Sequence, residues 1–173
     1  MSALRILAID PSLNQTGICW MDGDTFTIKP LSKASPVDRL RDLRAQFKNM
    51  WHGLRIDLVV LEDYAYGAKG SSIVQIAEWG GVLRLALSDA GYTVALVSPT
   101  ALKKYATGKG NANKALVVSA LTNRAGRQFD TDDEADAWGL WAMASDHYGQ
   151  PVVKMPDTHR KALLSVAWPV VTQ

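Results

Sequence analysis

The sequence predicts an α/β domain: a five-stranded mixed sheet, three strands antiparallel and then two parallel, flanked by helices. Three observations predict it. Short apolar runs of strand length open the chain in quick succession, with a hairpin turn, Asp22-Gly23-Asp24, between the second and third. Two later runs are each followed by a helical-period segment, the arrangement that carries parallel strands. At 173 residues the chain has the length of one domain, 1–173, with 149–173 as a C-terminal extension.

Each element has its own signal. The first strand is expected over 4–9, then a polar loop over 10–17, and strands over 18–21 and 25–31. A helix over 36–51 follows from Leu40, Leu43, Phe47 and Met50 at helical spacing, with Ser35 as its N-cap. Residues 57–62 read as a buried strand, 64–71 as a Gly-rich loop, and 73–90 as an apolar helix. A fifth strand covers 92–97, and Pro99 opens a short helix to Ala106. After the turn at 108–111, helices run from about Asn113 to Leu121 and from about Asp132 to His147. The tail holds Pro151, Pro156 and Pro169; it is expected to pack on the surface or to form a short helix over 160–166.

Composition bounds the function. Apolar residues make up 47% and charged residues 21%, values ordinary for a soluble globular protein. No apolar run approaches a membrane span, and the N-terminus has no signal-peptide pattern. The single cysteine, Cys19, sits among apolar residues and reads as a small core hydrophobe, compatible with a reducing, cytoplasmic setting. The histidines, His52, His147 and His159, lack ligand spacing.

Four acids stand out by position. Asp10 closes one apolar run and Glu62 another, while Asp133 and Asp136 open an apolar helix that carries Trp138 and Trp141. A carboxylate at the end of a buried strand is costly to desolvate unless something compensates it. Acids that crowd together need a cation, and magnesium takes hard oxygen ligands. The pattern points to a magnesium site at the sheet edge and to phosphodiester hydrolysis. Asp133 and Asp136, at i and i+3, share a helix face; Asp132 shares one with Asp136 at i+4 and is the rival. Asp130 and Asp132 read more simply as acids favoured at a helix start, and Asp63 is expected on the other side of its strand from Glu62.

The net charge of +2 hides an asymmetry. Between Asp89 and Asp130 there is no acid, yet Lys103, Lys104, Lys109, Lys114, Arg124 and Arg127 fall there. Such a block suits a polyanion beside the acidic cluster; helices with opposite solvated faces are the plainer explanation.

Several of these residues resemble a known family. Ala8-Ile9-Asp10-Pro11-Ser12 with Thr16-Gly17 is similar to the first motif of the RuvC Holliday-junction resolvases. Ser98-Pro99, Lys103, Thr107-Gly108-Lys109-Gly110, Ala112 and Lys114 resemble its downstream signature. Asp133-Glu134-Ala135-Asp136-Ala137 resembles its C-terminal acidic motif, and Gly81 falls where the family has a helix glycine. The resemblance covers roughly 4–147.

What the resemblance implies is an RNase H-like fold and a magnesium-dependent endonuclease, two ions per site with manganese as a substitute, acting as a homodimer on four-way DNA junctions. Asp10, Glu62, Asp133 and Asp136 then become catalytic metal ligands, and Lys103 and Lys114 become DNA contacts. Lys104 and Lys109 are further phosphate candidates, and Tyr64 and Tyr66 candidates for stacking at a junction. Ala65 stands where the bacterial enzymes carry an aromatic residue, and Ser12 where glycine is frequent. These departures indicate a divergent member, with a phage origin as one reading. A broader branched-DNA or flap nuclease, a YqgF-type nuclease and a catalytically silent junction-binding protein are the alternatives. Actin-like and sugar-kinase ATPases share the early aspartate and Thr-Gly loop, but their phosphate loops are not found here.

Overall fold

The computed structural model describes residues 3–12, 14–31, 35–64 and 71–171, with side chains in 71–73 excepted. The strands are β1 (Ile6–Asp10), β2 (Thr16–Cys19), β3 (Thr25–Ile28), β4 (Leu58–Glu62) and β5 (Val94–Val97). The helices are α1 (Pro36–Trp51), α2 (Ser71–Asp89), α3 (Pro99–Thr107), α4 (Lys114–Ala125), α5 (Asp132–His147) and α6 (Asp157–Arg160), the last running into a 3₁₀ turn over Lys161–Ser165. The sheet order is β3-β2-β1-β4-β5. β1 pairs antiparallel with β2 and parallel with β4, and β4 pairs parallel with β5, as the sequence predicts.

β1 therefore runs through the middle of the sheet, buried on both faces, and reads as a continuous apolar run rather than an alternation. Its residues still divide by parity. Ile6 and Ala8 join Leu58, Val60, Ala95 and Val97 in a core with α3, α4 and α5. Leu7 and Ile9 join Val59 and Leu61 in a second core with α1 and α2. This parity sends the even-numbered strand-end acids, Asp10 and Glu62, toward the α5 side. Asp63, expected on the other side, lies 3.7 Å from Arg84 of α2 but also lines the same cleft as Asp10 and Glu62.

Most element ends agree with the sequence to within a residue or two. β2 shifts as a whole, expected over 18–21 and found at Thr16–Cys19. Its ladder pairs Thr16 with Ile28 and Gly17 with Asp10, while Trp20 and Met21 belong to the turn, which closes by Trp20 N–H to the Asp24 carbonyl at 2.7 Å. β3 ends at Ile28, ahead of Pro30, which has no N–H to give to a ladder. α4 continues past Leu121 to Ala125, where Gly126 takes the left-handed conformation that ends it, φ 67°.

The tail does both things expected of it: it packs on the surface and forms short helical turns. His147 stacks on Trp168 at 4.7 Å, Tyr148 donates its hydroxyl to the Pro169 carbonyl at 2.7 Å, and His159 Nδ1 lies 2.9 Å from the Tyr105 carbonyl. Beneath it, buried Asp146 is held by Arg160 Nε at 3.1 Å and Nη2 at 2.9 Å, with the Tyr105 hydroxyl at 3.3 Å. Cys19 is free and buried. Among the described residues no helix is long and apolar enough to cross a membrane.

Candidate active site

Asp10 ends β1 beneath the start of α5 and is almost fully buried. Continuing the β1–β4 register, in which Ile9 faces Leu61, brings Glu62 beside it. Three local devices hold this edge together. The Thr16 hydroxyl donates to the Ser12 carbonyl at 2.7 Å and accepts from Ser12 N–H at 3.3 Å and from the buried Trp79 indole at 3.1 Å, fixing both ends of the loop after Asp10. Thr131 caps α5 by accepting Glu134 N–H at 3.2 Å. Gly17, opposite Asp10, lets the helix start come close: a Cβ there would lie 2.0 Å from the Asp133 carbonyl oxygen.

The result is a cleft of about 370 Å³ lined by Asp10, Glu62, Asp133, Asp136, Lys103 and Lys114, with Tyr64 on its wall. The four acids singled out in the sequence meet there. Burial raises the Asp10 carboxyl well above the usual range, and the charges of Glu62, Asp136 and Asp133 push the same way. Burial likewise lifts Glu62 to about 7 and Asp136 to about 6. Asp133 is raised by burial, against the opposing Lys114 ammonium. Asp10 and Glu62 are within hydrogen-bonding reach of each other, which two carboxyl groups achieve only by sharing a proton. A cation in the proton's place would relieve the same repulsion. Asp136 Oδ1 is buried with no hydrogen-bond partner among the described residues.

An all-oxygen donor set with excess negative charge and an orphaned oxygen fits a hard divalent cation. Among the described residues, however, no three His, Cys, Asp or Glu side chains close into a ready-made metal cage.

The basic block divides. Lys103 and Lys114 line the cleft, whereas Lys104 and Lys109 are exposed outside its lining. Lys114 Nζ lies 2.6 Å from Asp132 Oδ2 and 3.7 Å from Asp133 Oδ1. Arg127 turns to the β2–β3 hairpin, donating to the Gly23 carbonyl at 2.7 Å and to the Thr25 hydroxyl at 3.1 Å, which in turn donates to buried Glu134. Arg127 thus ties the hairpin to the start of α5. Tyr64 sits under the Arg84 guanidinium, 5.0 Å from ring centre to Cζ. Tyr66 lies outside the described residues.

Sequence reasoning put Thr16 and Gly17 in the first motif and Arg127 in the basic block without foreseeing these contacts. A glycine inside a strand is the signal that could have found that of Gly17, since it marks close approach of another backbone.

A mixed sheet whose central strand and parallel neighbour each end in an acid, facing a helix that begins with two more, defines an RNase H-like fold. The chain belongs to the RuvC family: residues 6–140 match the family described as crossover junction endodeoxyribonuclease RuvC. A RuvC of Azorhizobium caulinodans is 28% identical over 162 residues, covering 87% of this chain and 95% of that one. A RuvC of Brucella ovis is 28% identical over 161 residues, covering 87% and 91%. Thermus thermophilus RuvC, solved with a Holliday junction substrate, superposes with a TM-score of 0.67 at 17% identity, covering 88% of this chain and 99% of that one. The likeness to that structure concerns the fold alone.

Proposed function

We propose that this protein is a magnesium-dependent endonuclease that resolves four-way DNA junctions by hydrolysing a pair of phosphodiesters. The observation that carries the reading is the meeting of Asp10, Glu62, Asp133 and Asp136 in one cleft, with a buried Asp136 oxygen left unanswered and two lysines at hand. Family membership supplies the junction as substrate; the acids supply the chemistry.

In this reading Asp10, Glu62, Asp133 and Asp136 hold two divalent ions, with manganese able to replace magnesium. Bound magnesium supplies charge relief at the phosphate and activation of the attacking water. Lys103 and Lys114 hold the phosphates flanking the scissile one, setting register without reading bases. Lys104 and Lys109 contribute only where DNA extends beyond the cleft. Tyr64 and Tyr66 offer flat surfaces to an unpaired base. The symmetric substrate calls for a homodimer acting on DNA in the cytoplasm.

A broader branched-DNA specificity is the second reading, favoured by Ala65 in place of the aromatic residue that bacterial relatives carry. The test is incubation of synthetic four-way, three-way, flap and linear DNA with Mg²⁺, alongside sedimentation of the free protein. Cutting confined to four-way junctions by a dimer is expected. Equal cutting of flaps would favour the broader reading, and no cutting of any substrate would end both.

A further inference from the structure

Asp132 stands next to the four acids but does not line their cleft. Its carboxylate is nevertheless fixed at both oxygens. Oδ1 accepts the backbone N–H of Asp133 at 3.1 Å, and Oδ2 accepts the Lys114 ammonium at 2.6 Å. The same ammonium lies 3.7 Å from Asp133 Oδ1, a carboxylate that does face the cleft. One lysine is therefore shared unequally between an acid outside the cleft and an acid inside it. The short, charge-assisted contact goes to the outside acid.

We propose that Asp132 is a positioning residue that parks the Lys114 ammonium at the cleft rim and so keeps Asp133 and Asp136 open to a divalent cation. The inference rests on the reading of the cleft as a metal-dependent nuclease site. A lysine is a mobile point charge on a flexible stem. Freed from Asp132, its nearest remaining anion is Asp133, with Asp136 one helical turn further on. An ammonium tethered so close is present at an effective concentration on the order of millimolar or more, enough to compete with a cation supplied at millimolar levels. With Asp132 in place the ammonium is held short of the cleft acids, yet keeps donors free to turn toward a phosphate.

Asp132 also occupies the first turn of α5, where any acid favours the helix dipole. The test separates the two roles by reading cation binding without DNA. Mn²⁺ is titrated into the full-length protein and the free ion followed by electron paramagnetic resonance, for wild type, Asp132→Asn, Asp132→Glu, Lys114→Ala and the double variant Asp132→Asn/Lys114→Ala. Asp132→Asn is expected to weaken Mn²⁺ binding roughly threefold to fivefold, the scale of an exposed ion pair, and Asp132→Glu to restore it. In the Lys114→Ala background the same substitution is expected to change binding by less than about twofold, because no ammonium remains to be parked. An equal loss in both backgrounds, or unchanged binding in Asp132→Asn, would overturn the inference while leaving the nuclease reading intact. Wild-type protein that neither binds Mn²⁺ nor cuts junctions would remove both.

Discussion

Asp136 and Asp146 lie on the same helix and face opposite fates. Asp146 is buried and fully answered: Arg160 grips its carboxylate through two nitrogens and the Tyr105 hydroxyl points at it. Asp136 is also drawn out of water, but it sits among the acids and lysines of the cleft, and one of its oxygens meets no donor among the described residues. The difference teaches what burial alone cannot. A carboxylate whose charge the fold neutralises is part of the architecture; one that the fold leaves unanswered is held ready for something that comes and goes.

That contrast can be broken experimentally. The largest effect is expected from Asp10→Asn or Asp136→Asn, which should lower the rate of junction cutting by about a thousandfold while changing junction affinity little. Single-turnover cleavage beside a gel-shift titration checks this, and parallel losses in both would point to misfolding. At the other end of α5, Arg160→Met should reverse the pattern. It strands Asp146 without its cation, so the melting temperature should fall by several degrees while cutting by the remaining folded protein is unchanged.

A third expectation concerns pH in the absence of metal. The fold raises Asp136 from 3.8 to about 6, so the native state holds this proton more tightly than the unfolded chain. Its stabilising effect is complete below about pH 4 and is lost as pH rises to about 6. Asp136→Asn should therefore stabilise the metal-free protein at about pH 8, on the order of 1–2 kcal/mol, and give no gain at about pH 4. Urea unfolding with a chelator present measures it, and a gain that persists at low pH would show that the buried charge is not the cause. The smallest effect is expected from the rim: Lys103→Ala should lower the salt slope of junction binding by about one, whereas Lys104→Ala, outside the cleft, should lower it by less.

Much of this was legible in the chain. The apolar runs and their order specify the mixed sheet, and acids at the ends of two runs and the start of a helix predict where the cleft lies. What the sequence hides is direction. β1 and β4 are apolar on both faces, so no alternation tells which core each residue joins; only the paired strands reveal that Asp10 and Glu62 look the same way. The basic block is misleading for a related reason. Charge counts Arg127 with the lysines, but its guanidinium answers a hairpin carbonyl that is distant in sequence. Lys103 and Lys104 are adjacent in sequence, yet the helical step separates them by about 100°, so only one faces the cleft. The partners of Asp146 come from α3 and the tail, contacts that no local pattern announces.

The contact between Gly17 and the Asp133 carbonyl has a wider meaning. Two of the acids are carried by the sheet and two by α5, and at this point the pieces meet with no side chain between them. The cleft is thus a seam rather than a pit, and its width is set by how closely a helix lies on a strand. A single methyl group at position 17 would act as a wedge in that seam, pressing on the backbone of Asp133 and prising one pair of acids from the other.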